Sequence, residues 1–242
     1  MRLTRVYVDA QLVPGALFAL PAETAAHVAK VLRARSGDAL LLFNGDGREF
    51  SGEIDSVRGS NVSVAIGAAN GVDRESPLQL TLLQCIPRGD RMDFILQKAT
   101  ELGVTRIVPI VSQRSVVRLD ERQAQAKAAH WRAVAISACE QCGRNRLPTL
   151  DAPQRLLDYL GGTAAVATRL VLDPAADGGG MGHEAGGGME IAVGPEGGFA
   201  PDELDALRTV GFVPIRLGPR ILRTETAAIA AVTVLQTRFG DL

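Results

Sequence analysis

Two glycine-proline segments near the end of the chain carry the residue types from which a ligand site is built. Gly194-Pro195-Glu196-Gly197-Gly198-Phe199 and Leu217-Gly218-Pro219-Arg220-Ile221-Leu222-Arg223-Thr224-Glu225-Thr226-Ala227 each follow a short apolar run. Glycine lets main-chain N–H and C=O groups approach a ligand closely, and proline fixes the loop so that little entropy is lost on binding. Residues 191–193 and 212–217 read as short buried strands, and 201–210 and 223–239 as helices. Both loops therefore lie between a strand end and a helix start, where open α/β sheets bind ligands. A side chain at Gly197 is expected to block such an approach. Either loop alone is equally well a tight turn of a scaffold; two at equivalent places indicate a built site.

A second feature is hidden by a net charge of −1. Residues 76–146 carry 11 Lys/Arg against 6 Asp/Glu, whereas residues 147–242 carry 7 against 12. Arginines dominate the basic middle, which suits bidentate contacts to phosphate, although charge runs are also commonly solvated helix faces. With 4% aromatic residues, recognition by base stacking on an aromatic platform is disfavoured. Neither G-x-G-x-x-G nor G-x-x-x-x-G-K-[ST] is placed to support a dinucleotide fold or a P-loop. Cys139 and Cys142 are spaced C-x-x-C without a second pair or a nearby histidine, and His27, His130 and His183 have neither triad nor metal spacing, so no metal is expected.

The elements that must position these residues fall in two groups. Residues 5–8, 39–43, 50–54 and 61–66 alternate as strands around one helix at 22–33, a small β-rich domain. Residues 68–77 cluster turn formers and read as a linker. Beyond it, strands at 78–86, 106–111, 164–172, 190–193 and 212–217 alternate with helices at 91–102, 120–143, 153–160, 201–210 and 223–239. That order predicts an α/β fold with a mostly parallel sheet covered on both faces. The glycine-rich stretch 177–188 reads as a mobile surface loop. The apolar runs are too short to span a membrane and residues 3–8 open directly on a strand pattern, so a cytoplasmic location is expected.

Four separated runs resemble the RsmE family of bacterial enzymes, which methylate N3 of a uridine in 16S ribosomal RNA. They are Arg88-Gly89-Asp90-Arg91-Met92-Asp93-Phe94-Ile95-Leu96-Gln97-Lys98-Ala99-Thr100-Glu101-Leu102-Gly103, Ala138-Cys139-Glu140-Gln141-Cys142-Gly143-Arg144-Asn145-Arg146, and the two glycine-proline loops. His27-Val28-Ala29-Lys30-Val31-Leu32-Arg33 also fits, so the resemblance covers nearly the whole chain. It implies a PUA-like β-barrel RNA-binding domain at 1–70 and a SPOUT methyltransferase domain at 76–242 with a C-terminal trefoil knot, which no periodicity could show. It also implies a homodimer, with symmetric contact through the last helix. The implied donor is S-adenosyl-L-methionine, held by Leu172, by Gly194, Pro195, Glu196 and Gly197, and by Leu217, Gly218, Ile221 and Leu222.

Uridine N3–H is a weak acid between two carbonyls, so methyl transfer requires its proton removed or its anion stabilised. Arg220 is the candidate for stabilising charge on the uracil and Glu225 for the base, although a carboxylate in a first helical turn also favours the macrodipole. For RNA the candidates are Lys30 and Arg33 in the first domain and Arg88, Arg91, Arg114 and Arg144 in the second, offsetting the cost of extruding the target base. The implied partner is 16S ribosomal RNA within the small ribosomal subunit. A non-catalytic RNA-binding assembly factor and a related knotted transfer-RNA methyltransferase are the alternatives.

Overall fold

The computed structural model describes residues 3–117, 120–162, 168–177 and 188–242. Arg118, His183 and nearly all of the glycine-rich stretch lie outside the described residues. The chain divides into two compact units, Met1–Glu75 with Ile136–Leu147, and Ser76–Ala135 with Pro148–Leu242.

The first unit contains β1 (Thr4–Tyr7), β2 (Leu17–Ala19), α1 (Ala22–Ala26), a π-helical turn His27–Val31, β3 (Ala39–Phe43), β4 (Glu49–Arg58) and β5 (Asn61–Asn70). Its sheet runs β1-β3-β4-β5-β2, with β1 and β3 parallel and the other pairs antiparallel. Period-two alternation puts Phe50 and Ile54 of β4 and Val62, Val64 and Ile66 of β5 into one core with Val6, Val28 and Leu42. Gly52 is glycine because a Cβ there would stand 2.5 Å from Leu42 Cδ1. Sequence alone did not indicate β2, whose three residues are too few to show a period. The single helix expected at 22–33 is instead α1 followed by the π turn, and β5 extends into the expected linker.

The second unit contains β6 (Leu80–Cys85), α2 (Arg91–Glu101), β7 (Arg106–Val111), α3 (Glu121–Cys142, whose last part belongs to the first unit), β8 (Thr149–Leu150), β9 (Gln154–Arg155) and α4 (Leu156–Gly162). It continues through β10 (Thr168–Leu172), β11 (Met189–Val193), α5 (Pro201–Thr209), β12 (Val213–Ile215) and α6 (Thr224–Phe239). All its strand pairs are parallel, in the order β12-β10-β11-β6-β7-β8, with β9 also on β7. Residues alternate between two cores. Leu82, Leu170 and Ile191 pack with Ile95, Trp131 and Val232, from α2, α3 and α6, while Leu83, Val171 and Ala192 pack with Tyr159 and Leu207 from α4 and α5. Covering both faces is what makes the strands near-continuous apolar runs. β10 lies between β11 and β12 although it precedes both, so the chain passes back beyond β10 to lay down β12. That order is consistent with the knot implied by resemblance.

Two contiguous domains, 1–70 and 76–242, do not describe this partition, because Ile136–Leu147 belongs to the first unit. The reason is polar as well as apolar. Glu140 accepts the Tyr7 N–H at 2.9 Å, Arg5 donates to Asn145 Oδ1 at 2.6 Å and to Glu49 at 2.7 Å, and Cys139 packs on Tyr7 and Phe43. No described helix is long and apolar enough to cross a membrane.

Candidate active site

Three loops of the second unit converge at the carboxyl ends of β10, β11 and β12. A cavity of about 260 Å³ is lined by Leu172 and Pro174 after β10, by Val193 to Glu196 and Gly198 after β11, and by Ile221 to Thr224 and Ala227 where α6 begins. A small adjoining cavity of about 50 Å³ adds Asp173, Leu217 and Arg220. The parallel sheet dictates this convergence, since every strand of it delivers its carboxyl end to the same edge. A larger cavity of about 510 Å³ lies at the end of β7, beside Ser112, Ser115, Arg155 and Glu203. Its buried Glu203 is already committed, accepting the N–H groups of Gln113 at 2.8 Å and Ala200 at 2.9 Å, and neither glycine-proline loop reaches it.

Within the convergent site, two sets of bonds tie the loops together. The inner set is neutral: Gln84 at the end of β6 donates to Thr224 Oγ1 at 3.0 Å, and Thr224 donates to the Gly194 carbonyl at 2.8 Å. The outer set is charged. Glu196 accepts the Arg88 main-chain N–H at 3.2 Å and Arg91 Nη1 at 3.0 Å, and Arg91 Nε stands 3.8 Å from Glu225 Oε1. Arg114 donates to the Gly197 carbonyl at 3.0 Å. The second carboxylate oxygen of Glu225, Oε2, is buried with no hydrogen-bond partner among the described residues. A buried acceptor without a donor is costly, and such orphans mark places where a ligand or a proton completes the set.

The structure therefore brings together Leu172, Gly194, Pro195, Glu196, Ile221 and Leu222 around one cavity, with Leu217 and Arg220 at the adjoining one. Gly218 turns the third loop with φ 72°. Gly197 faces Arg114 rather than the cavity: a Cβ there would lie 3.6 Å from the Arg114 Cβ, in ordinary contact. Two expected phosphate ligands are otherwise engaged. Arg144 is buried, with a side chain 4% exposed and bonded to Glu75 at 2.5 Å, so its guanidinium is engaged within the first unit. Arg91 is held between two carboxylates, which offset its charge. Arg88, Arg114, Lys30 and Arg33 are exposed. Arg33 follows the π turn in a left-handed conformation, φ 52°; such a φ is uncommon outside glycine, and π turns are frequent at functional sites.

Gln84 and Thr224 were missed in the sequence. Their signal was present: a glutamine inside the apolar run Leu80-Thr81-Leu82-Leu83-Gln84-Cys85 is a buried polar residue, and such residues need a partner. Neighbouring Cys85 offers no nucleophile, because burial pushes its thiol far up, outweighing the lowering effect of a hydrogen bond with Ser112.

A fold of parallel strands whose last loops enclose a cavity defines a class, and known RNA methyltransferases share it. The family model of an RNA methyltransferase domain matches residues 74–236 and that of an RNA methyltransferase PUA domain matches residues 20–66. The ribosomal RNA small subunit methyltransferase E of Buchnera aphidicola from Schizaphis graminum is 36% identical, over 100% of this chain and 98% of that one. The enzyme of the same name from Bacillus subtilis is 31% identical over 90% and 89%. A structure from Neisseria gonorrhoeae, described as this methyltransferase bound to S-adenosyl methionine, superposes with a TM-score of 0.92 at 37% identity over 100% of both chains. A Legionella pneumophila protein described as a methyltransferase in complex with SAM superposes at 0.96 with 41% identity, again over 100% of both. The chain belongs to the ribosomal RNA small subunit methyltransferase E family.

Proposed function

We propose that the protein transfers a methyl group from S-adenosyl-L-methionine to N3 of a uridine in 16S ribosomal RNA. The observation that carries this reading is the convergence of three loops on one cavity, with the buried, unpartnered carboxylate oxygen of Glu225 on the residue that follows lining Thr224, in a chain of this family. The lining fits the donor. Leu172, Val193, Leu222 and Ala227 are apolar, whereas Glu196 and Thr224 are polar, a mixture suited to a molecule with a flat ring and charged ends. Leu172, Gly194, Pro195 and Glu196 would hold it, with Leu217, Gly218, Ile221 and Leu222 closing the third side. Gly197 would contribute through its main chain, which Arg114 restrains.

The donor supplies a methyl carbon made electrophilic by its sulfonium. Glu225 accepts the N3 proton, and the N3 lone pair then forms the bond to the methyl carbon as its bond to sulfur breaks. Arg220, exposed at the rim, offsets the negative charge that this places on the uracil carbonyls. Lys30, Arg33, Arg88 and Arg114 hold phosphates, which offsets the cost of unstacking the base. The substrate sits within the small ribosomal subunit, and the protein works in the cytoplasm.

The active form is a homodimer. Ile221, 86% exposed beside the donor cavity, is an apolar surface that a second copy related by two-fold symmetry would cover. The boundaries 1–70 and 76–242 are retained as functional regions, the first for RNA and the second for chemistry.

Incubating the protein with labelled S-adenosyl-L-methionine and small-subunit RNA, then digesting to nucleosides, tests the reading. It predicts label in 3-methyluridine; label in another nucleoside, or donor binding without transfer, would refute it.

A further inference from the structure

We propose that Arg91 is a positioning residue for methyl transfer, a strut that fixes the distance between the donor loop and the carboxylate at the start of α6, and that it does not bind RNA phosphate. The inference rests on the methyltransferase reading above.

Three elements meet at this guanidinium. Arg91 belongs to the first turn of α2, Glu196 to the loop after β11, and Glu225 to the first turn of α6. Its Nη1 is 3.0 Å from Glu196 and its Nε is 3.8 Å from Glu225. A planar guanidinium can bridge two acceptors with different nitrogens at once, whereas an ammonium is a single point charge. The bridged residues belong to two different loops of the donor cavity: Glu196 lines it from the loop after β11, and Glu225 follows Thr224, which lines it from the start of α6.

The neutral chain from Gln84 through Thr224 to the Gly194 carbonyl joins strand ends to the same walls from inside. The walls are therefore tied twice, and the outer tie alone reaches Glu225, at Oε1; its Oε2 has no hydrogen-bond partner among the described residues. Glu225 has to meet the N3 proton in one geometry, and displacements of about 1 Å cost roughly a hundredfold in rate. A residue with this task acts on turnover. A phosphate ligand acts on RNA affinity and its salt dependence.

Because the Arg91 side chain is 41% exposed, its removal leaves the core intact, and thermal unfolding of Arg91→Ala and Arg91→Lys serves as the control for folding. For wild type and both variants, four quantities are measured: single-turnover methylation at saturating RNA, RNA affinity over a salt series, donor affinity by calorimetry, and amide hydrogen exchange at residues 194–198. The strut predicts a rate lowered about ten- to a hundredfold in Arg91→Ala, donor affinity lowered about two- to fivefold, faster exchange in the loop, and an unchanged salt slope. It also predicts that Arg91→Lys remains slow, since a single, compact ammonium cannot reproduce the spacing set by Nη1 on Glu196 and Nε on Glu225. A salt slope reduced by about 0.7, the value of one phosphate contact on single-stranded RNA, with the rate restored at saturating RNA, would overturn the proposal, as would full activity in Arg91→Lys. If wild type binds donor but methylates nothing, the methyltransferase reading fails. Loop exchange and donor affinity then still decide the strut.

Discussion

Alanine at each glycine of the donor loop tests the site's geometry, because the three positions differ in what a methyl group would meet. At Gly194 a Cβ would stand 3.3 Å from both Cδ2 and N of Phe199 and 3.4 Å from the Gly198 Cα. Phe199 is buried among Leu83, Ala192, Leu207 and Phe212 and has little room to yield, so the loop must move. Overpacking of this kind costs about 1–3 kcal/mol, and because Gly194 lines the cavity the displacement also reaches the ligand. Gly198 has nothing within 4 Å but a φ of 68°. The cost there is backbone strain alone, about 1 kcal/mol, or roughly 2–4 °C in Tm for a chain of this size. Gly197 has neither problem, since its Cβ would rest 3.6 Å from Arg114. Calorimetry with S-adenosyl-L-methionine and thermal unfolding should rank the variants in that order. Gly194→Ala should lose about tenfold in donor affinity, the equivalent of about 1.4 kcal/mol, Gly198→Ala less, and Gly197→Ala less than twofold. Wild-type affinity in Gly194→Ala, or greatest damage at Gly197, would refute the geometry.

In the sheet core, Glu190 accepts from Arg169 Nε at 2.9 Å and from the Tyr159 hydroxyl at 2.7 Å, with a side chain 3% exposed. Chemical denaturation of Glu190→Ala should show a loss of about 3–5 kcal/mol, because the buried arginine loses the carboxylate that balances its charge. In the first unit, burial pushes the Glu49 carboxyl up, but the guanidinium groups of Arg74 and Arg5 outweigh this and hold it below its ordinary value of 4.5. A folded-state value below the unfolded one means that this stabilisation is complete above that value and is lost as pH falls through the lower, folded one. Unfolding measured between about pH 3 and 6 should show a slope that Glu49→Gln removes. For RNA, Lys30→Ala and Arg33→Ala should each lower the salt slope of binding by about 0.7 without changing donor affinity; an unchanged slope would remove these residues from the interface.

Much of this was legible because the relevant signals are local. Buried parallel strands such as residues 80–85 and 189–193 read as apolar runs, and the glycine-proline loops announce their place between strand and helix. What escaped was set by distance. The excursion of residues 136–147 into the first unit depends on Arg5, Tyr7 and Phe43, which lie more than 90 residues earlier, and the arginine count of the middle segment concealed it. Arg144 and Arg91 look like phosphate ligands in sequence because charge is visible there and its partner is not. Glu75 and Glu196 neutralise them only after folding. The crowding at Gly194 likewise depends on where Phe199 packs, so the sequence pointed to Gly197 instead. The strand β2 was invisible for another reason: three residues carry no period, and pairing with β5 creates the strand.

Mass spectrometry of small-subunit RNA from cells with and without the protein is the most direct test that this chain makes 3-methyluridine in 16S ribosomal RNA. 3-Methyluridine is expected at one position in cells that have the protein, to be lost on deletion, and to return with the wild-type chain but not with Glu225→Ala. Retention of the modified nucleoside in the deletion would contradict this activity, and its full restoration by Glu225→Ala would contradict the role of Glu225.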